Sequence, residues 1–188
     1  GDGDGTYDPQ TGILSLACGD RYEDLPDKTI ALVRWVFENT GFAYLYKVDD
    51  DCVTTPEILL GDLEYRRHDY WGRAISRIVG DTDRFWHAAR STAGWAREGI
   101  EKSHEPALYN DGGGGYFLSR RAMAKLLEVV ETPEGRAAYL ATISEDKLVG
   151  DLLVHGGIWP APVTYATYQR RRLAPGGMPV SIWEPSLL

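Results

Sequence analysis

"YLYKVDDDCVT", residues 44–54, places three consecutive carboxylates, Asp49, Asp50 and Asp51, directly after a short apolar strand pattern. Adjacent like charges repel. Two arrangements tolerate them: a solvated turn, or a bound cation that makes the cluster favourable. Aspartates at i and i+2 on a strand-end turn can bring their oxygens to one place, and hard divalent cations take oxygen ligands. Such a cation neutralises the charge that develops on a departing diphosphate. Three aspartates alone favour the exposed acidic turn. A place at the end of a buried strand brings the two readings level.

The flanking sequence says how that strand is embedded. Upstream, "GILSLACGD" (residues 12–20) reads as a buried strand that ends in a turn. In "DLPDKTIALVRWVFENTG" (24–41), Ile30, Val33 and Phe37 fall at helical spacing, Pro26 sits near the start and Gly41 is a stop. "FAYLYKV" (42–48) is the next strand, and "TPEILLGDL" (55–63) opens a helix with Thr-Pro-Glu. Strand, helix, strand, acidic loop, helix predicts a parallel βαβ pair with a right-handed crossover. Ligands of such sheets bind outside the carboxyl ends of the strands, where the aspartates lie.

Residues 1–11 are acidic and glycine-rich and read as a flexible lead-in; "DGDG" lacks the spacing and terminal Glu of an EF-hand loop. Residues 64–110, rich in Arg, Trp, Tyr and His, read as short strands and loops. Glycines at 112–115 precede "YFLSRRAMAKLLEVV" (116–130), an amphipathic helix capped by Ser119. The glycines permit positive φ and close backbone approach to a ligand. Without the Lys-Ser/Thr of a P-loop, the glycines taken alone read better as a flexible linker or a tight packing turn. "SEDKLVGDLLVHGG" (144–157) is a further helix, with Ser144 at the cap and Glu145 and Asp146 in the first turn. Carboxylates there gain from the helix dipole. One of them acts as a general base only if an acceptor hydroxyl comes within hydrogen-bond reach.

The 188 residues are 43% hydrophobic and 26% charged, which suits one soluble domain with a sizeable core. A net charge of −8 argues against a nucleic-acid surface. The basic run Arg170, Arg171 and Arg172 is short enough to be a solvated end. No apolar run approaches the roughly 18 residues of a membrane span, and the opening is not a signal-peptide pattern. Cys18 and Cys52 make no disulfide framework. The histidines at 68, 87, 104 and 155 form neither HxH nor HxxxH, which argues against zinc. No GxSxG occurs. Aromatic residues, 11% of the chain with six Trp, suit sugar stacking or an ordinary core.

Taken in order, "YEDLPDKTIALVRWVFENTGFAYLYKVDDDCVTTPEILL", "YNDGGGGYFLSR" and "SEDKLVGDLL…GGIWP" resemble the β-1,3-glycosyltransferase superfamily. That group includes β-1,3-galactosyltransferases, β-1,3-N-acetylglucosaminyltransferases and Fringe proteins. Its pattern runs "Y.DLTLKT", "KVDDDVFV", "GGGYVLSR", "EDVYVG", and the likeness extends from Tyr22 to Pro160. The resemblance implies an α/β chain of GT-A fold. Its central sheet would be mostly parallel and flanked by helices, with a shortened N-terminal part, in one catalytic domain over residues 1–188. It implies an inverting, metal-dependent transfer, with Mn²⁺ or Mg²⁺ as cofactor. A sugar would pass from a UDP-sugar donor to the hydroxyl of a glycan or glycoconjugate acceptor, in β-1,3 linkage.

On this likeness Asp51 binds the metal on the donor diphosphate. Asp49 lies near the ribose and adjoins the metal, and Asp50 completes the donor-site turn. Gly113, Gly114, Gly115 and Tyr116 border the donor sugar and acceptor. Asp146 is the general base, with Glu145 beside it. Three departures stand out. The first motif begins at Tyr22, so the family's earlier base-gripping strand–helix–strand region is expected to be absent, shortened or rebuilt. The family's metal-ligand histidine after "GI.P" falls near 167–169, in "YATYQ", where there is none. Lys147 stands where an apolar residue is usual. Members are often luminal and membrane-anchored; no anchor is visible here. The alternative is a non-catalytic glycosyltransferase-like domain that binds glycans or a protein partner.

Overall fold

Asp8 folds the chain back on itself at the start. Its carboxylate accepts from Gln10 N at 2.9 Å and Thr11 Oγ1 at 2.7 Å, and Gly12 N donates to the Asp8 carbonyl at 2.9 Å. This self-bonded aspartate turn joins strand β1 (Asp2–Asp8) to its antiparallel partner β2 (Ile13–Ala17). The computed structural model describes residues 2–50, 52–54, 56–61, 63–77, 89–94, 107–162, 170–173 and 179–181. The expected flexible lead-in is therefore a strand, held by Trp35 Nε1 donating to the Gly5 carbonyl at 2.9 Å. β2, expected to be buried, is largely exposed, with only Leu16 inside. It belongs to a hairpin and not to the central sheet.

Helix α1 (Leu25–Asn39) begins with Pro26 in the first turn, where a missing N–H leaves nothing unsatisfied. Thr29, Val33 and Val36 form its buried stripe. The helix ends before Gly41, at Thr40, whose hydroxyl bonds the Val36 carbonyl at 2.7 Å. Arg120 reaches the Phe37 and Thr40 carbonyls at 2.8 and 2.9 Å. Those two contacts satisfy acceptors that a helix end leaves free.

The remaining elements follow in order: β3 (Tyr44–Lys47), β4 (Cys52–Thr54), α2 (Pro56–Gly61), a 3-10 turn (Glu64–Arg67), β5 (Tyr70–Gly72), β6 (Ala74–Arg77) and β7 (Ala107–Asn110). Then come β8 (Tyr116–Ser119), α3 (Arg120–Val129), α4 (Pro133–Leu140), α5 (Glu145–His155), β9 (Ala161–Pro162), β10 (Arg170–Leu173) and β11 (Pro179–Ser181). The central sheet has the order β3-β8-β5-β9, and β6-β7 and β11-β10-β4 form smaller sheets.

The architecture is mixed α/β, but among the described residues the sheets are mostly antiparallel and not mostly parallel as expected. Among the described strands only β5 and β9 pair in parallel. The expected β2–β3 parallel pair is absent. β2 closes a hairpin through a few residues, which needs no helical crossover. β8 inserts between β3 and β5 and runs against both.

One face of the central sheet carries Leu45, Tyr116 and Leu118 into a core with Val33, Met123, Leu126, Leu148 and Leu152 from α1, α3 and α5. The other carries Tyr44, Tyr46, Phe117 and Trp71 under Tyr65, which stacks on Phe117 at 4.2 Å. This is the two-residue alternation of strands. Ser119 caps α3 as expected, its hydroxyl accepting from Ala122 N at 3.1 Å. The first residues of the stretch read as helix form β8 instead.

Lys147, at the family's apolar position, is buried and paired with Asp151 one turn along α5. No helix of the described residues is long and apolar enough to cross a membrane.

α5 lies flush on β7 because Gly150 has no side chain. A Cβ there would strike Tyr109 Cβ and approach the Leu108 carbonyl. Alanine normally favours a helix interior, yet Gly150→Ala should lower unfolding stability by about 1–3 kcal/mol through overpacking. Urea denaturation checks this; an unchanged or raised midpoint would contradict the close contact.

Candidate active site

Alternation along β3 sends Tyr44 and Tyr46 to the aromatic face, and Leu45 and Lys47 toward the helices. Lys47 is the strand's last residue, and its side chain is 11% exposed. A buried ammonium needs carboxylate partners. It has two: Lys47 Nζ donates to Asp49 Oδ1 at 2.6 Å and to Glu145 Oε1. Burial works to depress the lysine pKa, but the Glu145 and Asp49 charges outweigh it and hold the ammonium above its ordinary range.

Glu145 opens α5, and its side chain is 8% exposed. Tyr116 stands opposite Lys47 in the β8 register and donates its hydroxyl to Glu145 Oε2 at 3.1 Å. Burial and the nearby carboxylates push the Tyr116 hydroxyl well above its usual pKa, so it remains a donor. Thr29 Oγ1, from the buried stripe of α1, donates to the same oxygen at 3.3 Å. The Lys47 ammonium also lies 5.9 Å from the Tyr116 ring centroid. One buried carboxylate thus joins α1, β3, β8 and α5.

Asp146, the next residue, has its own set of partners. Its Oδ1 accepts from Ser144 Oγ at 2.7 Å and from Lys147 N at 2.8 Å; its Oδ2 accepts from Gly112 N at 3.3 Å. Ser144 occupies the cap position as expected, but its hydroxyl serves Asp146 instead of the helix backbone.

The glycine loop packs against both acids. A Cβ on Gly112 would collide with Glu145 Oε1. Gly115 N closes the turn onto the Gly112 carbonyl at 3.2 Å. Gly115 has φ +84°, where a side chain is strained and would also meet the Tyr46 hydroxyl. Cys52 Sγ donates to the Gly113 carbonyl at 2.8 Å. Just ahead of the loop, the Asn110 side-chain amide is buried with no hydrogen-bond partner among the described residues.

Cys52 N bonds the Asp49 carbonyl at 3.1 Å and closes the acidic turn. Asp49 keeps 41% of its side chain exposed, and Asp50 is exposed. Their carboxylate oxygens suit a hard divalent cation. Asp51 lies outside the described residues, as does 167–169, where the family's histidine would fall. Among the described residues no three His, Cys, Asp or Glu side chains gather as a metal cluster.

The structure therefore brings Asp49, Gly112, Gly113, Gly115, Tyr116, Glu145 and Asp146 into one contact network. Lys47 and Thr29 belong to it, and neither stood out in the sequence. The signals for them were faint but present: a lysine at an inward strand position, and a threonine on an apolar helix stripe.

A model of the galactosyltransferase family matches residues 9–160. A 65-residue stretch is 35% identical to mouse beta-1,3-galactosyltransferase 6, covering 32% of this chain and 20% of that protein. The chain thus matches only a fifth of that relative's length. The family match spans most of the chain and includes the acidic turn, the glycine loop and the first turn of α5, so the chain belongs to the galactosyltransferase family.

Proposed function

We propose that this chain is an inverting, metal-dependent glycosyltransferase of GT-A type. It would move a sugar from a UDP-sugar to a hydroxyl of a glycan acceptor. The observation that carries this reading is the pairing of two sites through one ion bridge. Asp49 of the acidic turn and Glu145, the neighbour of Asp146, share the Lys47 ammonium.

Inversion in a single displacement needs a base on the face opposite the leaving group. Asp146 is suited to that role. Its carboxylate is only part-buried, and its orientation is set by Ser144, Lys147 and Gly112. It would take the proton from the acceptor hydroxyl as that oxygen attacks C1 of the sugar. Glu145 is unsuited, because it is buried and both its oxygens already accept hydrogen bonds; its role is to position Asp146. Gly113, Gly114 and Gly115 would let the backbone approach the sugar closely.

Asp49, Asp50 and Asp51 would hold Mn²⁺ or Mg²⁺, which when bound neutralises charge on the departing diphosphate. The mouse relative's name, a beta-1,3-galactosyltransferase, makes UDP-galactose and a β-1,3 linkage the first donor and product to test.

Two outcomes follow. Asp146→Asn should reduce transfer by about 10²–10⁴-fold, the usual contribution of a positioned base, with an unchanged circular-dichroism melt. Retained activity in the folded variant would remove Asp146 from the mechanism. UDP together with Mn²⁺ should raise the melting temperature, since a ligand at about 100 times its Kd stabilises the native state by about 2.7 kcal/mol. UDP without metal should raise it less. No shift with any nucleotide would instead support a non-catalytic glycan- or protein-binding domain.

A further inference from the structure

We propose that Lys47 is a positioning residue that sets the spacing between the acidic turn and the base-bearing end of α5; this deepens the function proposed above and rests on it. The side chain is nearly buried, so it is placed to act through its neighbours and not on substrate. Its ammonium has three protons, and two of them are directed at Asp49 Oδ1 and Glu145 Oε1. Asp49 begins the turn that closes on Cys52, and Cys52 in turn bonds the glycine loop at Gly113. Glu145 is covalently next to Asp146, and Asp146 accepts from Gly112 at the other end of that loop.

The circuit therefore closes on itself: Lys47, Asp49, Cys52, the glycine loop, Asp146, Glu145 and back to Lys47. Two carboxylates, Asp49 of the acidic turn and Glu145 beside the proposed base, face the same cation. Without it they would repel each other, and among the described residues Glu145 would keep only the neutral donors Tyr116 and Thr29. The first turn of α5 would be free to move relative to the acidic turn. A displacement of about 1 Å at a reacting group can cost about 10²-fold in rate.

The test uses the full chain. Lys47→Met alone strands a buried carboxylate and can unfold the protein. The double variant Lys47→Met/Glu145→Gln removes both charges, keeps similar shapes and is the variant to read. Hydrogen exchange should rise about tenfold at the Cys52 and Gly112 amides together, as a local opening, with α3 unchanged. In transfer assays kcat should fall about 10²-fold while the donor KM changes by less than about threefold. Thr29→Val, which removes one bond to Glu145 but keeps the bridge, should leave exchange at Cys52 unchanged.

A folded double variant with wild-type exchange at both amides, or with wild-type kcat, would overturn the proposal. If the wild-type chain transfers no sugar from any donor, the functional reading fails separately. The exchange data still decide whether Lys47 couples the two turns.

Discussion

A carboxylate cannot be buried alone, and Glu145 is buried. Everything around it answers that constraint. A cation from β3, a phenol from β8 and a hydroxyl from α1 each bring one donor to its two oxygens. The register of the sheet and the placement of two helices on it are thereby tied to a single group. Any slip of β3 by one residue would turn Lys47 to the aromatic face and leave the carboxylate without its counter-charge.

The antiparallel insertion of β8 matters for the same reason. It sets Tyr116 directly across from Lys47, so the phenol and the ammonium meet the same carboxylate. The chain then reaches the site from two sides. The acidic turn leaves β3, while the glycine loop enters β8, and the two are stitched by Cys52. Tight contacts elsewhere support this arrangement: Gly112 against Glu145, and Gly150 against Tyr109. Both are places where backbone approaches a neighbour too closely for a side chain.

Helices α1, α2, α3 and α5 were legible in the sequence because their signals are local, whereas α4 (Pro133–Leu140) was not read. Pro26, Ser119 and Val33 do in the structure what their types predict, while Ile30 and Phe37 are only partly buried and Thr29 and Val36 complete the inner face of α1. The strand order was not legible, since pairing joins residues far apart along the chain. The N-terminal hairpin was hidden by its Gly and Asp composition, although Asp8 carried a usable turn signal. Asp146 and the glycine loop were singled out through their order along the chain, not through geometry. Lys47 was overlooked because its partner Glu145 lies 98 residues away, and no short window of sequence contains both. Ser144 was assigned the right position and a different bond.

The base role proposed for Asp146 has one stereochemical consequence. A single base acting opposite the departing diphosphate inverts the sugar's anomeric centre. The direct test is proton NMR of the first product formed from an α-linked UDP-sugar with Mn²⁺, with either an acceptor or water taking the sugar, before mutarotation intervenes. The account predicts that the β-anomer appears first. First appearance of the α-anomer would contradict it.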